Sequence, residues 1–161
     1  GHSVTAVARG QQKRQIAADA GADTVLDAKD PAFAEKLRAM DRFDVVYDPV
    51  GGDQYDAAIR CCAPLARYLL IGFASGDVPQ LPANILLVKN ITAIGFYWGG
   101  YLKFAPQRLT QSLADLFTLV EQGRLSPAPA KVLPFDQALT GLELLRARQA
   151  NGKIVIKIAA D

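Results

Sequence analysis

The chain has 161 residues, 50% of them hydrophobic and 21% charged, with a formal net charge of +2. That length is one ordinary domain or most of one, and the mixture is that of a globular, soluble chain. The small charge and scattered basic residues exclude a nucleic-acid surface, and apolar runs no longer than a strand exclude a membrane span; two adjacent cysteines, Cys61 and Cys62, exclude a disulfide framework and fit a reducing cytoplasm.

Val4-Thr5-Ala6-Val7-Ala8 is apolar on both faces, as a buried parallel strand is. Residues 11–20 follow as a helix with Ile16, Ala17 and Ala20 on one side and Gly21 as its stop. Thr24-Val25-Leu26-Asp27 is a short strand ending in an acid. Pro31 opens the next helix, whose apolar stripe is Phe33, Leu37 and Met40. A third strand over 43–48 runs through Pro49, Val50, Gly51 and Gly52 into a helix over 54–62, and a fourth strand over 66–71 ends at Gly72. Strands alternating with helices at this spacing predict an α/β fold, a Rossmann-like doubly wound parallel sheet. Residues 74–82 read as a loop, 84–89 as a helical turn, 91–96 as a strand and 109–122 as an amphipathic helix stopped by Gly123. Residues 126–130, with two prolines, read as a linker, 135–148 as a helix, Asn151-Gly152 as a turn and 153–158 as a final strand.

In dinucleotide-binding sheets an acid at the end of the second strand bonds the adenosine ribose hydroxyls of NAD. The corresponding position here is Ala8, followed by Arg9 and, four residues on, Lys13. A guanidinium bonds a 2′-phosphate with a fork of donors and an ammonium adds point charge, which favours NADP over NAD. On charge alone the alternative reading, a solvated helix start, stands level with it. No G-x-G-x-x-G precedes a helix anywhere in the sequence, and only Gly1-His2-Ser3 stands before the first visible strand. The expected sheet therefore lacks its first strand and Gly-rich phosphate loop.

Adjacent helical cysteines point about 100° apart and do not converge on one ion. With His2 the only histidine, no zinc site and no Ser/His/Asp set is expected. Asp48, at a strand end before a Gly-rich turn, reads as a turn and cap residue in preference to a general base. No catalytic residue is assigned.

Several ordered segments carry a resemblance. They are Val4 to Lys13, Gly21-Ala22-Asp23-Thr24-Val25-Leu26-Asp27, Asp44-Val45-Val46-Tyr47-Asp48-Pro49-Val50-Gly51-Gly52, Ile71-Gly72-Phe73-Ala74-Ser75-Gly76, Lys89-Asn90-Ile91 through Tyr97-Trp98, and Asn151-Gly152-Lys153-Ile154-Val155. Together they resemble the C-terminal portion of a medium-chain dehydrogenase/reductase of the zinc-independent quinone oxidoreductase type. The resemblance implies an NADPH-dependent enzyme that transfers hydride to a quinone, an enone or an activated alkene. An enoyl reductase domain of a lipid or polyketide synthase, and a nonenzymatic dimerisation module with half a cofactor site, remain alternatives.

The resemblance also implies roles residue by residue. Arg9 and Lys13 meet the 2′-phosphate; Val50 and Gly51 lie against the adenosine ribose; Gly72 and Phe73 flank the nicotinamide and its ribose. Phe96, Tyr97 and Trp98 lie near the nicotinamide pocket, and Arg148 or Lys153 reaches the cofactor from the closing segment. The aromatic cluster reads equally as core or as a subunit contact. Relatives often carry a tyrosine near the adenine where this chain has Ala28. The expected division is a partial cofactor domain over 1–133 and a segment over 134–161 that packs on an absent catalytic domain. A homodimer is expected through the 91–96 edge strand, and the chain alone is expected to be inactive.

Overall fold

Strand-length apolar runs separated by helix-length amphipathic ones fold as expected for the α/β class. The computed structural model describes residues 2–126, 129–147 and 149–158. The chain divides into two compact units, Gly1–Tyr101 and Leu102–Asp161. Among the described residues no helix is long and apolar enough to cross a membrane.

In the first unit β1 (Thr5–Ala8) leads through α1 (Gln11–Asp19) to β2 (Thr24–Asp27), which lies parallel to it with Ala8 opposite Asp27. Gly21, at a φ of 98°, ends the α1 segment, as its lack of a Cβ allows. α2 (Phe33–Arg38) starts two residues after Pro31. Asp30 organises that start: its carboxylate accepts from the Ala32 N–H at 2.8 Å and from Lys36 Nζ, and the ammonium holds the Asp30 carboxyl below its ordinary range.

β3 (Phe43–Asp48), α3 (Asp53–Cys61), β4 (Cys62–Leu70), α4 (Ala83–Lys89) and β5 (Thr92–Gly95) follow. β4 lies between β3 and β5, parallel to both. β1-β2 and β3-β4-β5 form two separate hydrogen-bonded ladders, where one sheet was expected. β4 also begins four residues earlier than the sequence suggested. Phe43 pairs with Cys62 and Val45 with Arg67, so β4 bulges between them. Pro64 has no N–H for a ladder, and Leu65 sits at a φ of 65°.

α3 is buried on two faces. Tyr55 and Ile59 pack with Cys62, Ala66, Tyr68 and Ile91 under the sheet, and Ala57 and Cys61 pack with Phe33 and Leu37 of α2. Each pair is spaced i, i+4, so one helix serves two clusters. The helix passes straight into β4 without a glycine cap. Lys89 Nζ instead donates to the carbonyls of Arg60 and Cys62 at 2.6 and 2.9 Å, and Arg42 donates to Arg60 at 2.9 Å.

Burial pushes the Cys62 thiol up from 9.0 to about 11 and raises the Tyr68 phenol as well. Both groups are neutral in the folded state where their unfolded counterparts ionise. Their stabilisation is therefore whole below about pH 9 and is lost as pH rises, Cys62 between pH 9 and 11 and Tyr68 from about pH 10. Urea unfolding is expected to give a flat stability up to pH 9 and a fall of about 2–3 kcal/mol by pH 11 from Cys62 alone. Cys62→Ala should flatten that first part of the fall; a wild-type profile level to pH 11 would contradict the burial argument.

The second unit contains α6 (Pro106–Glu121), β6 (Pro129–Pro134), a 3-10 turn over Phe135–Gln137, α7 (Ala138–Arg146) and β7 (Lys153–Lys157). α5 (Tyr101–Phe104) bridges the boundary in the chain. α6 begins one turn before its expected start, with Pro106 in its first turn, where a missing N–H costs nothing. β6 replaces part of the expected linker and pairs in parallel with β7. Its prolines hid it: they are tolerated because, among the described residues, β6 is paired on one side only. The expected 135–148 helix is the 3-10 turn followed by α7. Gly141 of α7 lets helix and strands close up, since a Cβ there would lie 3.1 Å from Ile154 and 3.3 Å from Leu133.

Candidate cofactor site

Two turns at the carboxyl ends of β3 and β4 form the centre of the site. Asp48 ends β3 and is 6% exposed. Its Oδ1 accepts from the backbone N–H of Val50 at 2.8 Å and of Gly51 at 2.9 Å, and its Oδ2 accepts from the Tyr68 hydroxyl at 2.9 Å. An Asx-type turn of this kind needs an acid two and three residues ahead of free amides, which the run Asp-Pro-Val-Gly-Gly supplies. Asp48 is thus a turn clamp with both carboxylate oxygens engaged; it does not cap α3, which follows Gly52 with no side-chain cap.

The second turn is laced to the first. Ile71 N–H donates to the Asp48 carbonyl at 2.9 Å, Ala74 N–H to Pro49 at 3.1 Å and Ser75 N–H to Val50 at 3.0 Å. The Ser75 hydroxyl donates to the same Val50 carbonyl at 2.6 Å. Backbones approach so closely that a Cβ on Gly51 would lie 2.7 Å from the Asp77 carbonyl oxygen and 3.4 Å from the Phe73 ring. Val50, Gly51, Gly72 and Phe73, named separately from the sequence, are therefore brought together. Ser75 and Tyr68 were missed. The hydroxyl partner of Asp48 lies 20 residues away, and no local pattern announces it.

The end of β5 adjoins this wall, because Phe96 N–H donates to the Leu70 carbonyl at 3.0 Å. Phe96, Tyr97 and Trp98 follow it, with Tyr97 79% exposed and the Phe96 ring 5.9 Å from that of Tyr101. These aromatics are partly exposed, so the buried-core alternative does not describe them. Arg9 is exposed immediately after β1, and Lys13 is half-buried on the first turn of α1. They belong to the other ladder, at the end of β1. Lys153 opens β7 in the second unit and is exposed; Arg148 lies outside the described residues.

Beside the glycine turn, Gly52, Asp53, Asp56, Asp77, Val78, Pro79 and Gln80 line an open recess of about 370 Å³. Three carboxylates there repel an anion, so phosphate groups do not belong in it. Among the described residues no three His, Cys, Asp or Glu side chains could hold a metal ion. Cys61 and Cys62 do not suit zinc. Both are buried, their thiols are pushed up by desolvation, and Cys62 Sγ donates to the Ala58 carbonyl at 3.5 Å.

The family profile described as zinc-binding dehydrogenase matches residues 20–156. Among curated proteins the chain is similar to the quinone oxidoreductase-like protein 2 homolog of Nematostella vectensis. Identity is 32% over 150 residues, covering 91% of this chain and 41% of that protein. The chain thus spans less than half the length of this relative. Among solved structures it resembles CurA from Vibrio vulnificus in complex with NADPH, with 26% identity, a TM-score of 0.78, and coverage of 98% of this chain and 50% of the other. It also resembles a mycobacterial protein complexed with NADPH, with 26% identity, a TM-score of 0.81, and coverage of 97% and 49%.

Proposed function

The chain belongs to the zinc-binding dehydrogenase family of medium-chain dehydrogenases and reductases, and on that footing we propose that it is the C-terminal, cofactor-side portion of an NADPH-dependent oxidoreductase. The acceptor we assign is a quinone, an enone or a related activated alkene. The observation that carries this reading is the close lacing of the β3 and β4 turns, with glycines where a Cβ would collide. Open parallel sheets bind ligands in the crevice beyond such strand ends.

The ladders support the reading. In the dinucleotide-binding order 3-2-1-4-5-6, the parallel pair β2-β1 would correspond to 3-2 and the parallel run β3-β4-β5 to 4-5-6. On that matching, no strand among the described residues would correspond to position 1, the one that carries the Gly-rich loop in such sheets. Exposed Val45 and Tyr47 on β3 fit this, since a central strand is otherwise covered. The solved relatives named above hold NADPH.

Arg9 and Lys13 would bond the 2′-phosphate, Val50 and Gly51 would border the adenosine ribose, and Gly72 and Phe73 the nicotinamide side. Phe96, Tyr97 and Trp98 would shield the reacting end from water. NADPH, when bound, supplies the hydride, and the chain's own residues position it and exclude solvent. Residues 1–133 are assigned to the cofactor half and 134–161 to contact with the rest of the enzyme. Among the described residues β5 is paired on one side only, and its other side suits pairing with a second copy.

Arg9→Ala in the full-length enzyme tests the cofactor assignment. NADPH affinity, read by fluorescence titration, should fall about 10–100-fold, the worth of a charge-assisted phosphate contact, while NADH affinity stays within a few-fold. Equal changes for both cofactors would overturn it. The isolated chain should bind NADPH weakly and turn nothing over; micromolar binding with turnover would contradict the partial-site reading.

A further inference from the structure

Asp27 ends β2 directly opposite Ala8, the last residue of β1. Adjacent strands lie about 4.8 Å apart, so this carboxylate stands one strand spacing from the place where dinucleotide-binding sheets discriminate the two adenosine riboses. Left bare, an acid there would repel a 2′-phosphate. It is not bare: Arg14 Nη2 of α1 lies 3.4 Å from Asp27 Oδ2, and the Lys29 N–H donates to Asp27 Oδ1 at 2.9 Å. Arg14 Nε is buried, with no hydrogen-bond partner among the described residues. A partly exposed ion pair of this length adds little to stability, so its placement calls for another reason.

We propose that Arg14 is a positioning residue for cofactor choice: by holding and neutralising Asp27 at the end of β2, it lets Arg9 and Lys13 receive a 2′-phosphate. The inference rests on the NADPH assignment above and goes beyond it, because Arg14 acts through Asp27 and not on the phosphate. Removing the guanidinium exposes the carboxylate, which then opposes the doubly charged phosphate of NADPH and leaves NADH untouched.

The test is a double-mutant cycle on the full-length protein, with NADPH and NADH dissociation constants measured by calorimetry. Arg14→Leu should weaken NADPH about ten-fold and change NADH less than about two-fold. Asp27→Asn alone should leave both near wild type, and the double variant should recover most of the NADPH affinity. Arg14→Lys, which keeps the charge, should retain NADPH preference and guards against a leucine variant that fails to fold. Loss of NADPH affinity without rescue by Asp27→Asn would overturn the proposal, as would equal losses for the two cofactors. A wild-type protein that does not prefer NADPH would overturn the cofactor assignment itself. That result is separable from a wild type that prefers NADPH but shows no rescue.

Discussion

Asp48→Ala is expected to lower folding stability by about 3–5 kcal/mol, the cost of removing one partner from a buried charged network. The carboxylate is 6% exposed and accepts three hydrogen bonds, so truncation strands the Val50 and Gly51 amides and the Tyr68 hydroxyl together. Tyr68 is itself fully buried, and its ring meets that of Tyr55 edge-on at 5.1 Å, so it cannot turn out to water without opening the core. Tyr68→Phe removes one bond and should cost only about 1–2 kcal/mol. The double variant should cost less than the sum, because the two share one contact. Urea unfolding of the four proteins reads the cycle. A loss below 1 kcal/mol for Asp48→Ala would show that water replaces the carboxylate at no cost, and that the turn is not clamped in the way described.

Gly51→Ala is the second large effect, about 2–4 kcal/mol, and it separates two causes. Gly51 has a φ of 70°, which alone strains an L-residue by about 1–2 kcal/mol. Its added methyl would also meet the Asp77 carbonyl oxygen at 2.7 Å, and backbone cannot yield as a side-chain tip can. Gly76→Ala is the control. Gly76 has a φ of 95° but nothing within 4 Å of a Cβ, so it should show the backbone cost without the collision. Thermal unfolding should therefore place Gly51→Ala clearly below Gly76→Ala. Equal midpoints would mean that the β4 turn moves freely away from the β3 turn.

The two turns were legible because their chemistry is local. A strand ending in an acid, then Pro and paired glycines, specifies an Asx-type turn before a helix whatever the rest of the chain does. The same locality explains why β1, α1, β2 and β3 lie within a residue or so of their expected bounds. β6 was hidden because its prolines argue against a strand until a single-sided partner is known. The early start of β4 was hidden because a bulge depends on how Phe43 and Val45 are opposed, and register is a property of two strands.

Arg9 and Lys13 were visible as cations at a strand end, but Asp27 was visible only as an acid that closes a strand. Its pairing with Arg14 needs the register that sets Asp27 against Ala8 and the helix turn that swings Arg14 over it. By itself the sequence determined the α/β class, the family, and the chemistry of each strand-end turn, since these follow from periodicity, turn residues and ordered motifs. The tertiary structure alone decided the division into two ladders, the Tyr68 hydroxyl bond that completes the clamp on Asp48, the contact of Gly51 with Asp77, and the shielding of Asp27. Those are long-range contacts, made between residues whose separation in the chain leaves no local trace of their meeting.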